Sequence, residues 1–214
     1  MMQELTKVPW ASLIKEIWKE RLRTADAIFV HAWADLHEKS ILHVAELKRA
    51  SKSRYIVLNG ASEYEKMGPG FDYWKKKLMT LGIKEHEIVS TSPAMNTQEE
   101  ARALLNFLKR KKLTNAYVYS VPQHIMRAFL TDLGVLNASR FKGKIFPSTL
   151  KDVKFNESIT IMPLAGKKEE TTRLGRFAEE VARIVDYQER YKKGDKKFTM
   201  VSVQEGLDYL KSLR

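Results

Sequence analysis

The chain has 214 residues, 43% of them hydrophobic, four tryptophans and no cysteine, which points to one globular domain and excludes disulfides, thiolate metal sites and a cysteine nucleophile. Its 38 lysines and arginines exceed 26 aspartates and glutamates, and the net charge of +12 favours phosphates, nucleic acid or acidic membranes as partners. No apolar run reaches the roughly 20 residues that span a bilayer, and the charged, amphipathic start MMQELTKVPWASLIKEIWKERLR lacks the apolar centre of a signal peptide, so a soluble, cytoplasmic protein is expected.

In chain order, a helix is expected over Pro9 to Leu22, then an apolar strand in ADAIFVHA (Ala25 to Ala32). Leu36 to Ala50 carries Ile41, Leu42, Val44, Ala45 and Leu47 at helical spacing. RYIVLNG is a second strand closed by Asn-Gly, FDYWKKKLMTLG a helix stopped by Gly82, and HEIVST a third strand. NTQEEARALLNFLKRKK is the clearest helix, NAYVYS a fourth strand, PQHIMRAFLTDLG a helix stopped by Gly134, and GKIFPS a fifth strand. SITIMPL is read as one more strand, Thr171 to Tyr191 as a long helix, and VSVQEGLDYLKSLR as a final short one.

This β-α alternation predicts an α/β fold, a Rossmann-like three-layer sandwich with at least five mainly parallel strands and C-terminal helices. The chain is read as one domain: an N-terminal helix over 9–22, a core over 25–150 and a C-terminal helical extension over 167–214. Ligands of such sheets bind beyond the carboxyl ends of the strands, where strand order reverses. The residues that follow the strands are therefore candidates: His31, Asn59 and Gly60, Asn96 and Thr97, and Ser120 with His124 and Arg127.

Each candidate also has a structural explanation. Asn96 with Glu99, and Thr97 with Glu100, have capping-box spacing, and so does Ser120 with Gln123. His31 suits a half-buried place at the top of the sheet. His124 and Arg127, three apart, share one side of a helix whose amino end already carries partial positive charge. A partner acid for Arg127 and surface packing for His124 would explain them. An anion held by Arg127, with His124 donating a hydrogen bond or moving a proton, would explain them as a site. Both lie off the apolar stripe of their helix, so alanine at either is expected to leave the fold intact. No pair of histidines has H-x-x-x-H spacing, so no metal site is assigned. The G-x-G-x-x-G, P-loop and G-x-S-x-G signatures are absent.

The segments ADAIFVHA, YIVLNGAS, LGIKEHEIV, NTQEEA and YVYSVPQHIMRAF resemble, in order and spacing, the YdcF/SanA/ElyC-like family, a domain of unknown function. That family reads D-x-IVVLG, IIVSGG, LGVP-x-x-I, NT-x-ENA and TS-x-x-HM-x-RA. The resemblance covers about Ala25 to Pro147 and implies a polar pocket of Asn96, Thr97, Glu99, His124 and Arg127. It carries no established reaction. Its YdcF branch is described as binding S-adenosylmethionine, whereas its SanA and ElyC branches are membrane-anchored and linked to envelope integrity. The lack of an N-terminal span resembles the YdcF branch. Departures surround the expected pocket: Ala32 and Trp33 stand in place of glycines, NGA in place of SGG, and Glu100 in place of the asparagine of ENA.

Three function classes follow. The first is a binder of a small anionic or nucleotide-derived molecule, with S-adenosylmethionine as the cofactor the resemblance suggests. The second is a hydrolase or transferase with His124 as its acid/base. The third, less favoured, is a basic nucleic-acid-binding protein served by clusters such as Lys109 to Lys112.

Overall fold

The computed structural model of the protein describes residues 8–19, 22–31, 35–61, 68–161 and 169–213. Five strands, β1 (Ala27–Val30), β2 (Tyr55–Leu58), β3 (Ile88–Ser90), β4 (Asn115–Tyr119) and β5 (Lys144–Ser148), form one all-parallel sheet in the order β3-β2-β1-β4-β5. β1 is central and buried along its whole length, with Phe29 in register with Val57 on one side and Val118 on the other. Burial on both faces explains why β1, β2 and β4 read as continuous apolar runs. Each such large side chain stabilises by about 1.5–3 kcal/mol. Pro147 is tolerated because β5 is an edge strand.

Each of β1 to β4 is followed by a helix that returns antiparallel to it: α2 (His37–Ser51), α3 (Gly70–Thr80), α4 (Thr97–Lys111) and α5 (Ile125–Ala138). α2 meets α3, and α4 meets α5, giving the three-layer, Rossmann-like arrangement expected from the alternation. α1 (Trp10–Trp18) and α7 (Val203–Ser212) pack on each other, and α7 also meets α5. No described helix is long and apolar enough to cross a membrane.

Three expectations change. α1 stops at Trp18, short of Leu22, with Lys19 already extended. α5 runs through Gly134 to Ala138; the glycine lets residues 199–201 cross the helix closely, since a Cβ there would lie 2.4 Å from the Cα of Met200. Gly134→Ala is therefore expected to destabilise by about 1–3 kcal/mol, read as a lower midpoint in a denaturant melt; an unchanged midpoint would show that the crossing relaxes freely.

The third change lies at the C-terminal extension. SITIMPL yields β6 (Ser158–Ile161), and its last three residues lie outside the described residues. β6 pairs antiparallel with β7 (Glu169–Thr172), so α6 (Arg173–Lys192) begins two residues later than Thr171. The β-branched pair Thr171 and Thr172 favours the strand. The Thr172 hydroxyl then starts the helix by accepting from the Gly175 amide at 3.0 Å.

Candidate functional site

The strand order reverses between β1 and β4, so the crevice at their carboxyl ends is where this fold places ligands. His31 leaves β1 there, its amide donating to the Tyr119 carbonyl at 2.9 Å. α4 and α5 both begin at this edge, and side chains from both meet the histidine.

His31 is 2% exposed and lies between two carboxylates, with Nδ1 2.9 Å from Glu100 Oε2 and Nε2 2.8 Å from Asp132 Oδ2. Burial alone would lower its pKa, but the charges of Asp132 and Glu100 outweigh burial and raise it to about 10. Burial in turn pushes the Asp132 carboxyl upward, against the pull of His31. Asn59 extends the cluster. Its Nδ2 donates to the Ala94 carbonyl at 2.7 Å and to Glu100 Oε1 at 3.3 Å, and its Oδ1 accepts from the Ala94 amide at 3.0 Å. Asn59 thus ties the turn after β2 to the loop after β3.

A second cluster adjoins the first, the His31 and His124 rings meeting edge to face with centroids 6.1 Å apart. His124 Nδ1 lies 2.8 Å from Glu180 Oε2, and Nε2 lies 3.3 Å from Thr97 Oγ1. Burial and the neighbouring Arg127 charge lower its pKa to about 4, in spite of Glu180. The ring is therefore neutral at neutral pH, with its Nδ1 proton donated to Glu180 and Nε2 left to accept from the Thr97 hydroxyl. Arg127 donates from Nε and NH2 to Glu180, and from NH1 to Thr97 Oγ1 at 2.9 Å. Its guanidinium also lies 5.8 Å from the centre of the Tyr187 ring.

Glu180 is the anion around which this half is built. Arg176 NH2 and Arg183 NH1 each lie 3.2 Å from its Oε1, in addition to Arg127. Burial opposes its ionisation, but His124 and Arg127 hold the carboxyl well below its ordinary range.

The structure brings Thr97, His124 and Arg127 into direct contact and sets His31 and Asn59 beside them. Asn96 and Glu99 are placed differently. Asn96 Oδ1 caps α4 by accepting from the Glu99 amide at 3.0 Å, and Glu99 Oε2 accepts from the Met95 amide at 2.7 Å. Both are exposed at the helix start. Of the two overlapping boxes neither closes in full: the Asn96 side chain caps α4, but Glu99 returns to the Met95 amide and to Asn96 Nδ2 instead of the Asn96 amide, while Thr97 and Glu100 turn inward. Gly60 serves close packing, since a Cβ there would lie 2.0 Å from the Thr91 carbonyl oxygen.

Ser120 is fully buried, but its expected box with Gln123 does not form. Gln123 Nε2 donates instead to Asp35 Oδ2 at 3.1 Å, and α5 begins only at Ile125. Nor do His124 and Arg127 lie off an apolar stripe: α5 is buried on every side from Ile125 to Leu136. Alanine at either position is consequently a core substitution, and the expectation of an intact fold is withdrawn.

Sequence reasoning missed Glu100, Asp132 and Glu180 as members. Asp132 carried a signal, being a lone acid within the apolar helix segment IMRAFLTDLGVL. Glu180 carried none, since α6 has charged residues throughout. Among the described residues no group of three or more histidine, cysteine, aspartate or glutamate side chains is placed to hold a metal ion. Comparison with protein-family models and with curated proteins finds no match to the chain.

Proposed function

We propose that the protein binds a small ligand bearing an anionic group at the carboxyl edge of the sheet, where β1 and β4 part. The observation that carries this reading is a set of buried polar atoms at that edge without a hydrogen-bond partner among the described residues: Ser120 Oγ, Gln123 Oε1 and Asp132 Oδ1. Buried groups of this kind take a partner from water or ligand. The charge distribution supports the same reading. Arg127, Arg176 and Arg183 face Glu180 and Glu179, while the other half sets one histidine, His31, between two carboxyl groups, so one half is richer in cations and the other in acids. A dipolar site suits a zwitterion or a nucleotide derivative better than a simple anion. S-adenosylmethionine, brought in by the resemblance to the YdcF branch, has that character.

A thermal-shift screen of S-adenosylmethionine, nucleotides and sugar phosphates tests this. A specific ligand at about 100 times its Kd raises stability by about 2.7 kcal/mol. Arg127→Lys keeps the charge but loses the planar fork, and should weaken binding about tenfold or more. If no compound shifts the melt, or if Arg127→Lys binds as the parent does, the reading fails.

The chain Glu180–His124–Thr97 favours a second reading, a hydrolase or transferase. Carboxylate to Nδ1 and Nε2 to hydroxyl is the arrangement in which a histidine accepts a hydroxyl proton as the oxygen attacks, while the acid fixes the tautomer. Arg127 NH1, 2.9 Å from the same oxygen, would stabilise the alkoxide. An electrophilic trap for activated hydroxyls, followed by mass spectrometry, should label Thr97 in the parent and not in His124→Gln. Labelling that ignores His124 would remove this reading.

A further inference from the structure

The amino edge of the sheet, opposite the candidate site, concentrates the protein's positive charge. The parallel registers place the entrances of all five strands along this one edge. β2, β3, β4 and β5 are entered through residues 52–54, 81–87, 109–114 and 139–144, which together hold ten lysines and arginines, all exposed, and two glutamates. Both glutamates are paired with lysines from outside this set, Glu85 with Lys75 and Glu87 with Lys48. The acid at the entrance to β1, Asp26, is paired with Arg54.

Helix dipoles explain part of this charge, since Lys109, Arg110 and Lys111 occupy the last turn of α4. They do not explain Arg54, Lys84, Lys142 and Lys144, which lie on strand entrances. Nor do they explain three backbone conformations. Lys52, Lys112 and Arg140 have φ of 54°, 53° and 54° at or just beyond helix ends, where glycine is the unstrained residue. Three long cations stand where a side chain costs stability, all on one edge. An aromatic ring lies among them: Arg54 is 6.0 Å and Lys111 5.5 Å from the centre of the Tyr55 ring.

We propose that this amino edge is a second binding surface, and that its partner is the phosphate backbone of nucleic acid, held without reading of base sequence. With strands about 4.8 Å apart the row of entrances extends roughly 19 Å. At 3.4 Å per base along a strand, that is about five or six nucleotides. A row of separate cations matches a row of separate phosphates. The surface is independent of the carboxyl-edge site, because helices and strands run the full depth of the sheet between them.

The test is fluorescence anisotropy with a labelled duplex of about 20 base pairs across a salt series, using the full chain. Binding in the micromolar range should weaken steeply with salt. The variant Lys52→Gly/Lys112→Gly/Arg140→Gly removes three charges at positions where glycine relieves strain, so its melting point should equal or exceed the parent's. Its log–log salt slope should be shallower by roughly 2 to 3, because each phosphate left without its cation lowers the slope by about 0.9. Lys39→Ala/Lys154→Ala, at the other edge, should leave the slope unchanged. Absence of duplex binding overturns the proposal, as does an unaltered slope in the triple-glycine variant. Binding to phosphatidylserine vesicles in preference to the duplex also overturns it, assigning the edge to a lipid surface.

Discussion

Glu180→Ala is expected to destabilise the protein by about 3–5 kcal/mol, because it leaves a buried guanidinium without its counter-ion. Arg127 is 7% exposed and directs Nε and NH2 at that carboxylate, and Arg176, 6% exposed, also reaches it. Removing the acid strands Arg127, leaves Arg176 with Glu179 alone, and leaves the His124 Nδ1 proton without its acceptor. Converting the pair to apolar residues, as in Arg127→Met/Glu180→Leu, removes a stranded charge together with the acid. That double variant should be more stable than Glu180→Ala, with a coupling of about 0.5–3 kcal/mol between the positions. Urea melts of the parent, Arg127→Met, Glu180→Leu and the double variant measure it. Additive losses would mean that the two side chains do not interact in solution.

The second large effect lies at His31 and is resolved by pH. Its pKa is raised from an ordinary 6.5 to about 10 in the folded protein, so the native state holds this proton more tightly than the unfolded chain does. The stabilisation is fully present below pH 6.5 and is lost as pH rises from there through about 10. His124 acts in the opposite direction. With a folded value of about 4 against 6.5, the unfolded chain binds the proton first, and stability falls as pH drops from 6.5 towards 4. Stability should therefore peak between the two limbs. His31→Ala should cost about 3–5 kcal/mol near neutral pH, since Glu100 and Asp132 then face each other without a cation. Part of that loss should return as pH is lowered and one carboxyl takes a proton. Stability of His31→Ala that fell with acid as steeply as the parent's would show that the two carboxylates do not share the site.

Much of the fold was legible in the sequence because double burial leaves a plain signature. AIFV, YIVL and AYVY are uninterrupted apolar runs, and the helices between them carry caps and periodic apolar faces. Gly134 misled because a glycine that ends a helix and one that admits a crossing chain look alike in sequence; only the position of Met200 separates them. The pairing of β6 with β7 was hidden since a short, threonine-rich strand at the mouth of a long helix reads as part of that helix. At the site, the spacing of Thr97, His124 and Arg127 was informative because all three lie at helix starts on one edge. The acid partner of His124 and Arg127 was not legible. Glu180 arrives from 53 residues beyond Arg127 on an element outside the β-α alternation, and only the folded chain places it there.

The most direct test of the carboxyl-edge site is a histidine ring NMR titration with S-adenosylmethionine and with the nucleotides that shift the melt. The chain has five histidines, so each ring can be followed. Without ligand, the His31 ring should be doubly protonated near neutral pH and titrate at about 10, and the His124 ring should be neutral with its proton on Nδ1. On ligand addition, the His31 and His124 signals should move together and saturate at the Kd obtained from the melt. His86, at the amino edge before β3, should stay in place. A ligand that raises the melting point while leaving both His31 and His124 unmoved would contradict the account and put the binding site elsewhere on the protein.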